Sequence, residues 1–241
     1  MSAYLLKSLL RQEDKMLDDL FAKLFPKDSA APSGPVEYIV AGLGNPGTEY
    51  ENTRHNAGYM ALDRLAEKYG VRVNRIRFKS LCGECVIQGK KVLLLKPTTY
   101  MNLSGQAVQE ALAFYKLPVQ RLIVLCDDIN LAPGRLRIRR SGSDGGQNGL
   151  KNIIYLTGSD AFPRVRIGIG GKSHPNMDLK DWVLGRFSPD EIKLVAPALD
   201  NAAAAVELLV QDKIAEAMNL YNRVSQSEQG TDQRQSEEPS Q

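Results

Sequence analysis

Apolar positions recur at roughly helical spacing from Tyr4 to Phe25 (Leu5, Leu9, Leu17, Leu20 and Leu24, with Phe21 and Phe25 beside them), between charges of both signs. The pattern predicts an amphipathic helix. The stretch that follows, KDSAAPSGP from Lys27 to Pro35, has the composition of a flexible tether. From Glu37 onward short apolar runs alternate with segments of helical period. The runs predict strands over 37–43, 71–78, 81–88, 91–96, 122–126 and 165–170, with an alternating strand over 134–140. The 3.6-residue period predicts helices over 59–69, 103–115 and 148–156. Ser188-Pro189-Asp190-Glu191 combines an N-cap, a proline at the first helical position and a capping-box glutamate. The helix it opens is expected to stop near Ala196, where Pro197 interrupts the pattern. An alanine-rich helical run is predicted over 201–221.

Strands separated by helices in this order define an α/β fold, a single domain with a twisted mixed, largely parallel sheet flanked by helices. Three regions result: the helix and linker at 1–36, the folded domain at 37–223, and a tail at 224–241. The tail is rich in Ser, Gln, Glu and Asp and has no aromatic residue, so it is expected to stay disordered.

Composition narrows the class. With 43% apolar and 24% charged residues and a mean hydropathy of −0.29, the 241-residue chain reads as a soluble globular protein without a membrane span. The three cysteines, Cys82, Cys85 and Cys126, cannot form a complete disulfide framework, and no secretory leader pattern opens the sequence. Both features predict a reducing cytoplasm. Net charge is +3 in total, but 1–36 is neutral and 224–241 carries −3, which leaves +6 on 37–223. A basic folded domain permits a polyanionic partner.

Gly42-Leu43-Gly44-Asn45-Pro46-Gly47 matches the dinucleotide fingerprint G-x-G-x-x-G. In that fingerprint a helix begins at the glycines so that its free N–H groups hold pyrophosphate. Here Pro46 removes one donor, and the polar, non-periodic TEYENTRHN segment delays the helix. A nucleotide-cofactor oxidoreductase is therefore set aside, while the glycines still predict a close backbone approach.

Several polar clusters fall just after the expected strands, where open α/β sheets place their ligand crevice. They are Asn45, His55-Asn56, Tyr100-Met101-Asn102, Asp127-Asp128 and the Gly145-Gly146-Gln147-Asn148-Gly149 run. Together they hold what ester hydrolysis needs. A histidine suits the general base that deprotonates water near neutral pH, and His55 and His174 are the two present. A carboxylate on the second ring nitrogen fixes the tautomer, for which Asp127 is best placed. Asn45, Asn102 and Asn148 offer amides to an acyl group and its oxyanion. Singly each residue has a plainer reading: a turn asparagine, a capping His55, a solvated His174, and an Asp128 that serves a turn. Cys82-Gly-Glu-Cys85 has half of a zinc site's spacing with no second pair, so the thiols read as buried and no metal is implied. No Ser or Cys lies in a nucleophile elbow, which favours direct attack by water.

Arg135, Arg137 and Arg139 alternate along one expected strand, followed by Arg140, and Arg164 and Arg166 alternate along another. With Lys172 and Lys180 they are candidates for phosphate contacts, against the simpler reading of a solvated strand face.

From about Tyr38 to Asn222 the chain resembles the bacterial peptidyl-tRNA hydrolase family. The resemblance is carried by GLGNPG-x-x-Y-x-x-TRHNAG, KPTTYMNLSG, DD followed by LAPG, GGQNGL and RVRIGIG, in that order. It implies a single α/β domain, monomeric and free of metal or organic cofactor, acting on peptidyl-tRNA. It implies His55 as general base and Asp127 as its orienting partner, with Asn45, Asn102 and Asn148 positioning the peptide backbone or the attacking water. Tyr50, Tyr100 and Met101 resemble residues bordering the terminal adenosine and acyl pocket, Gly145 presents backbone, and Arg139 and Arg166 correspond to positions holding tRNA phosphates. The chain departs from the pattern at Gln147, where the family often has His, at Cys126 before the aspartates, and at Asn130. Two functions are thus expected in order: an esterase for N-blocked aminoacyl-tRNA, and a noncatalytic RNA-binding protein on the same fold.

Overall fold

The computed structural model describes residues 34–222. The expected helix at 4–25, most of its tether and the tail at 224–241 lie outside the described residues.

Seven strands form one sheet: β1 (Tyr38–Gly42), β2 (Arg75–Arg77), β3 (Ser80–Ile87), β4 (Lys90–Pro97), β5 (Leu122–Asp128), β6 (Leu136–Arg139) and β7 (Arg164–Gly168), in the order β2-β3-β4-β1-β5-β7-β6. The four central strands β4, β1, β5 and β7 are parallel, while β2–β3–β4 and β6–β7 are antiparallel at the two edges. The parallel character expected from sequence is thus confined to the centre.

Side chains alternate across β1, and the two faces build separate cores. Tyr38 and Val40 face one side with Ile123, Leu125, Val165 and Ile167, beneath α1 (Ala57–Lys68), α5 (Pro189–Leu209) and α6 (Ile214–Tyr221). Ile39 and Ala41 face the other with Leu93, Leu95 and Val124, beneath α2 (Ser104–Tyr115) and α3 (Asn148–Thr157). Both faces are covered, as apolar, non-alternating central strands require. Cys82 lies in the second core and Cys85 in the first, so the two thiols occupy opposite faces of β3 and cannot share a metal ion. Burial pushes Cys82 up to about 11 and Cys85 to about 12. No helix among the described residues is long and apolar enough to cross a membrane.

Three expectations require correction. The strand expected over 71–78 shrinks to Arg75–Arg77, all exposed, because Val71 and Val73 pack on the core and Phe78 and Lys79 turn with positive φ. The helix expected to end at Ala196 runs on through Pro197 to Leu209. Pro197 sits on the solvent side, where the Lys193 carbonyl it leaves unpaired can meet water, while Ala198, Leu199, Ala202 and Val206 are buried beyond it. The following run is broken instead at Asp212, which takes a left-handed φ of 61° as its neighbour Lys213 donates N–H to the Leu208 carbonyl.

Candidate active site

The carboxyl ends of the parallel strands carry the polar loops. Asp127 and Asp128 are the last two residues of β5, paired in register with Ile167 and Gly168, and not the start of a loop as expected. Both are buried. The apolar run ends at Cys126, but the ladder continues, since backbone pairing is indifferent to the charge of the side chain.

His55 stands in a short turn, Arg54–Asn56, just before α1. The turn is held close to β5 by main-chain contact. Leu43 N–H donates to the Leu125 carbonyl at 2.9 Å, Tyr59 N–H donates to the Leu43 carbonyl at 3.1 Å, and a Cβ at Gly58 would lie 2.3 Å from the Leu125 oxygen. Within the glycine-rich segment itself, a Cβ at Gly42 would lie 2.5 Å from the Gly58 carbonyl oxygen, which is the close backbone approach expected there.

His55 Nδ1 lies 2.8 Å from Asp127 Oδ2, with the two side chains 11% and 3% exposed. A carboxylate only accepts, so the neutral ring carries its proton on Nδ1 and presents a bare Nε2. Burial pulls the imidazole pKa down, but the charge and hydrogen bond of Asp127 outweigh it and hold the pKa above the usual 6.5. The other carboxylate oxygen, Oδ1, accepts from Gln147 Nε2 at 3.0 Å.

His55 lines an open cavity of about 210 Å³ with Asp127, Asp128, Gly145, Gly146, Asn148 and Arg166, facing Leu179, Lys180, Val183 and Leu184 across it. The facing side chains belong to a short helix, α4 (Leu179–Leu184), with Leu184 at its C-terminal end. No serine, threonine or cysteine stands among the described residues that line it. Asn45 is joined to this site indirectly. Its backbone exchanges two hydrogen bonds with the Asn56 side chain, at 2.8 and 3.0 Å, and its Oδ1 accepts from Met101 N–H at 2.8 Å. No hydrogen bond engages its Nδ2 among the described residues. Met101 in turn touches Gln147, whose Nε2 is 3.1 Å from its Sδ.

The remaining candidates divide. Asn102 is exposed beside Met101, Tyr100 is 58% exposed and Tyr50 half-buried, and none of the three lines the His55 cavity. Arg137 and Arg139 are exposed on one face of β6 and line a second cavity of about 370 Å³, which shares Asp128, Gly145 and Arg166 with the first. Arg164 departs from expectation. It is 1% exposed, stacks 4.2 Å above the Phe162 ring centroid and donates to the carbonyls of Gly142, Asp160 and Phe162, which makes it a loop support and not a phosphate contact. Arg166, 7% exposed, pairs with Asp128 at 3.1 Å and holds the Ser143 and Asp144 carbonyls at 2.9 and 3.0 Å. Asp128 also accepts from Asn130 N–H at 2.8 Å, the turn role expected of it.

Sequence reasoning placed Gln147 in a polar cluster without giving it a role, named Lys180 without the helix α4 that carries it, and assigned nothing to Arg54. The visible signal for Gln147 was its place one residue before a helix start, where a side-chain acceptor caps the first turn.

Fold and site together define an α/β architecture in which a carboxylate-paired histidine lines a cavity at the carboxyl edge of parallel strands. The model of the peptidyl-tRNA hydrolase family matches residues 39–230. The chain is 53% identical over 185 residues to the peptidyl-tRNA hydrolase of Caldanaerobacter subterraneus, covering 77% of this chain and 99% of that protein. It is 52% identical over 186 residues to that of Carboxydothermus hydrogenoformans, with 77% and 98% covered. A crystal structure of the Acinetobacter baumannii peptidyl-tRNA hydrolase superposes with a TM-score of 0.74 at 37% identity, covering 80% of this chain and 99% of that one. The chain belongs to the peptidyl-tRNA hydrolase family.

Proposed function

We propose that this protein hydrolyses the ester joining a peptide, or an N-blocked amino acid, to the 3′ end of tRNA. His55 Nε2 takes a proton from water as the water oxygen attacks the acyl carbon. Asp127 stabilises the resulting imidazolium. The tetrahedral oxyanion is met by amides, for which Asn45 Nδ2, Asn102 and Asn148 are the candidates. Collapse breaks the bond to the ribose oxygen, which leaves with the proton held by His55, releasing tRNA and a free peptide acid. Tyr50, Tyr100 and Met101 border the acyl and adenosine end, Gly145 presents backbone to it, and Arg139 receives phosphate. Arg166 acts from the wall between the two cavities. We place the protein in the cytoplasm on its cysteine usage, and as a monomer on the resemblance alone.

The observation that carries this reading is the 2.8 Å His55–Asp127 contact on the wall of an open cavity. The test is a cleavage assay on peptidyl-tRNA with the unaltered protein and His55→Ala side by side. Cleavage by the former, reduced about 10²- to 10⁴-fold in the variant, is expected. RNA affinity without hydrolysis in either would favour the noncatalytic RNA-binding reading instead.

A further inference from the structure

We infer that Gln147 is a positioning residue for the catalytic pair: its amide, fixed at one end by the first turn of α3, donates at the other to the Asp127 oxygen that His55 does not use. Gln147 is 6% exposed. Its Oε1 accepts from Leu150 N–H at 2.7 Å and caps α3, which leaves Nε2 directed at Asp127 Oδ1 at 3.0 Å. The opposite amide orientation would set oxygen against carboxylate and nitrogen against an N–H, so the neighbours determine the assignment. Each oxygen of Asp127 then has its own donor, and the plane of the carboxylate is set at two points.

The contact also tunes charge. An amide does not titrate, so its donor is present at every working pH, and it draws part of the carboxylate's charge away from the imidazole. Without it Asp127 would hold the imidazolium more tightly. The charged groups facing His55 are Asp127 and Asp128 from β5, Arg166 from β7 and Lys180 from α4, while the neighbouring Arg54 turns to Glu191. Of these Asp127 is the one hydrogen-bonded to the ring.

The inference rests on His55 being the base, so its test has one arm that does not need turnover. Gln147→Ser keeps a capping oxygen but is too short to reach Asp127, Gln147→Leu removes both functions, and Gln147→His restores an N–H donor. The His55 titration is followed by NMR in the free protein, with His174 as an internal reference, and kcat/KM on peptidyl-tRNA is followed against pH. In the Ser and Leu variants the His55 midpoint is expected to rise by about half a pH unit. Their kcat/KM at neutral pH should fall roughly tenfold with KM little changed, the effect of one lost charge-assisted hydrogen bond. Gln147→His should recover most of both. An unmoved midpoint in both the Ser and Leu variants overturns the inference, as does a loss confined to Gln147→Leu that tracks its melting temperature. A moved midpoint with no hydrolysis by the unaltered protein overturns the hydrolase reading and leaves the Gln147 contact standing.

Discussion

Arg54 donates through Nη2 to both carboxylate oxygens of Glu191, at 3.0 and 2.7 Å, with its guanidinium 3.8 Å from the Trp182 ring centroid. Its Nη1 reaches the Arg186 carbonyl and its backbone N–H the Gly185 carbonyl, both at 2.9 Å. One residue before His55, this side chain ties the His55 turn to the end of α4 and the start of α5. Arg54→Met should lower stability by about 2 kcal/mol, at the modest end for breaking a buried pair because Glu191 stays 21% exposed. Reversible denaturation measures it, and an unchanged midpoint would rule out the tie.

Glu191 gives a pH signature of the same contact. Burial acts to raise its pKa, but the Ser188 N–H and the Arg54 guanidinium hold it below the usual 4.5. A depressed carboxylate stabilises the fold fully above 4.5, and that stabilisation is lost as pH falls through the lower folded value. Glu191→Gln should flatten the acid side of a stability profile recorded below pH 5.

His55 has the opposite sign. Its folded pKa lies above 6.5, so its ion pair with Asp127 stabilises the fold fully below 6.5 and fades as pH rises through the folded value. Activity needs the neutral ring and should climb over the same interval, with the acid limb of kcat/KM centred above 6.5. A limb centred at or below 6.5 would contradict the pairing.

Asp127→Asn confronts two donors, His55 Nδ1–H and Gln147 Nε2, with a single oxygen. With Gln147 held by its cap, the new amide nitrogen faces Nδ1, and the imidazole escapes a donor-against-donor contact by moving its proton to Nε2, the wrong tautomer for a base. The expected outcome is a kcat lowered by on the order of 10²- to 10⁴-fold with KM nearly kept. Single-turnover kinetics on peptidyl-tRNA will separate the two.

The arginines separate binding from folding. Arg139→Ala, at an exposed position, should weaken tRNA binding, reduce the slope of log affinity against log salt by about one, and leave melting unchanged. Arg164→Met should do the reverse, costing about 3 kcal/mol of stability because several carbonyls lose their donor. Equal salt slopes for Arg139→Ala and the unaltered protein would remove that face from the interface.

The central strands were legible because their apolar runs coincide with parallel, doubly covered strands. His55 and Asp127 were legible as types of residue beside expected strand ends. Their pairing was expected because a carboxylate suits the second ring nitrogen of a histidine base, and the two groups stand 2.8 Å apart; what the sequence did not show is the packing between β5 and the turn before α1 that brings positions 72 apart together. The role of Gln147 was hidden although the residue stood in a candidate cluster, since its capping bond and its bond to Asp127 use opposite ends of one amide. Pro197 misled because a local rule about helix interiors yields when the far side of the helix is buried. Arg164 misled because alternation along a strand places side chains on one face without saying whether a loop covers that face.

Gly58 has one more consequence. It stands three residues after His55, and Leu125, whose carbonyl it nearly touches, stands two residues before Asp127. The spacing of acid and base is therefore a property of two abutting main chains, insulated from the fate of most individual side chains. Surface loops are free to diverge around such a pair, which offers an engineer a fixed pivot with a replaceable rim.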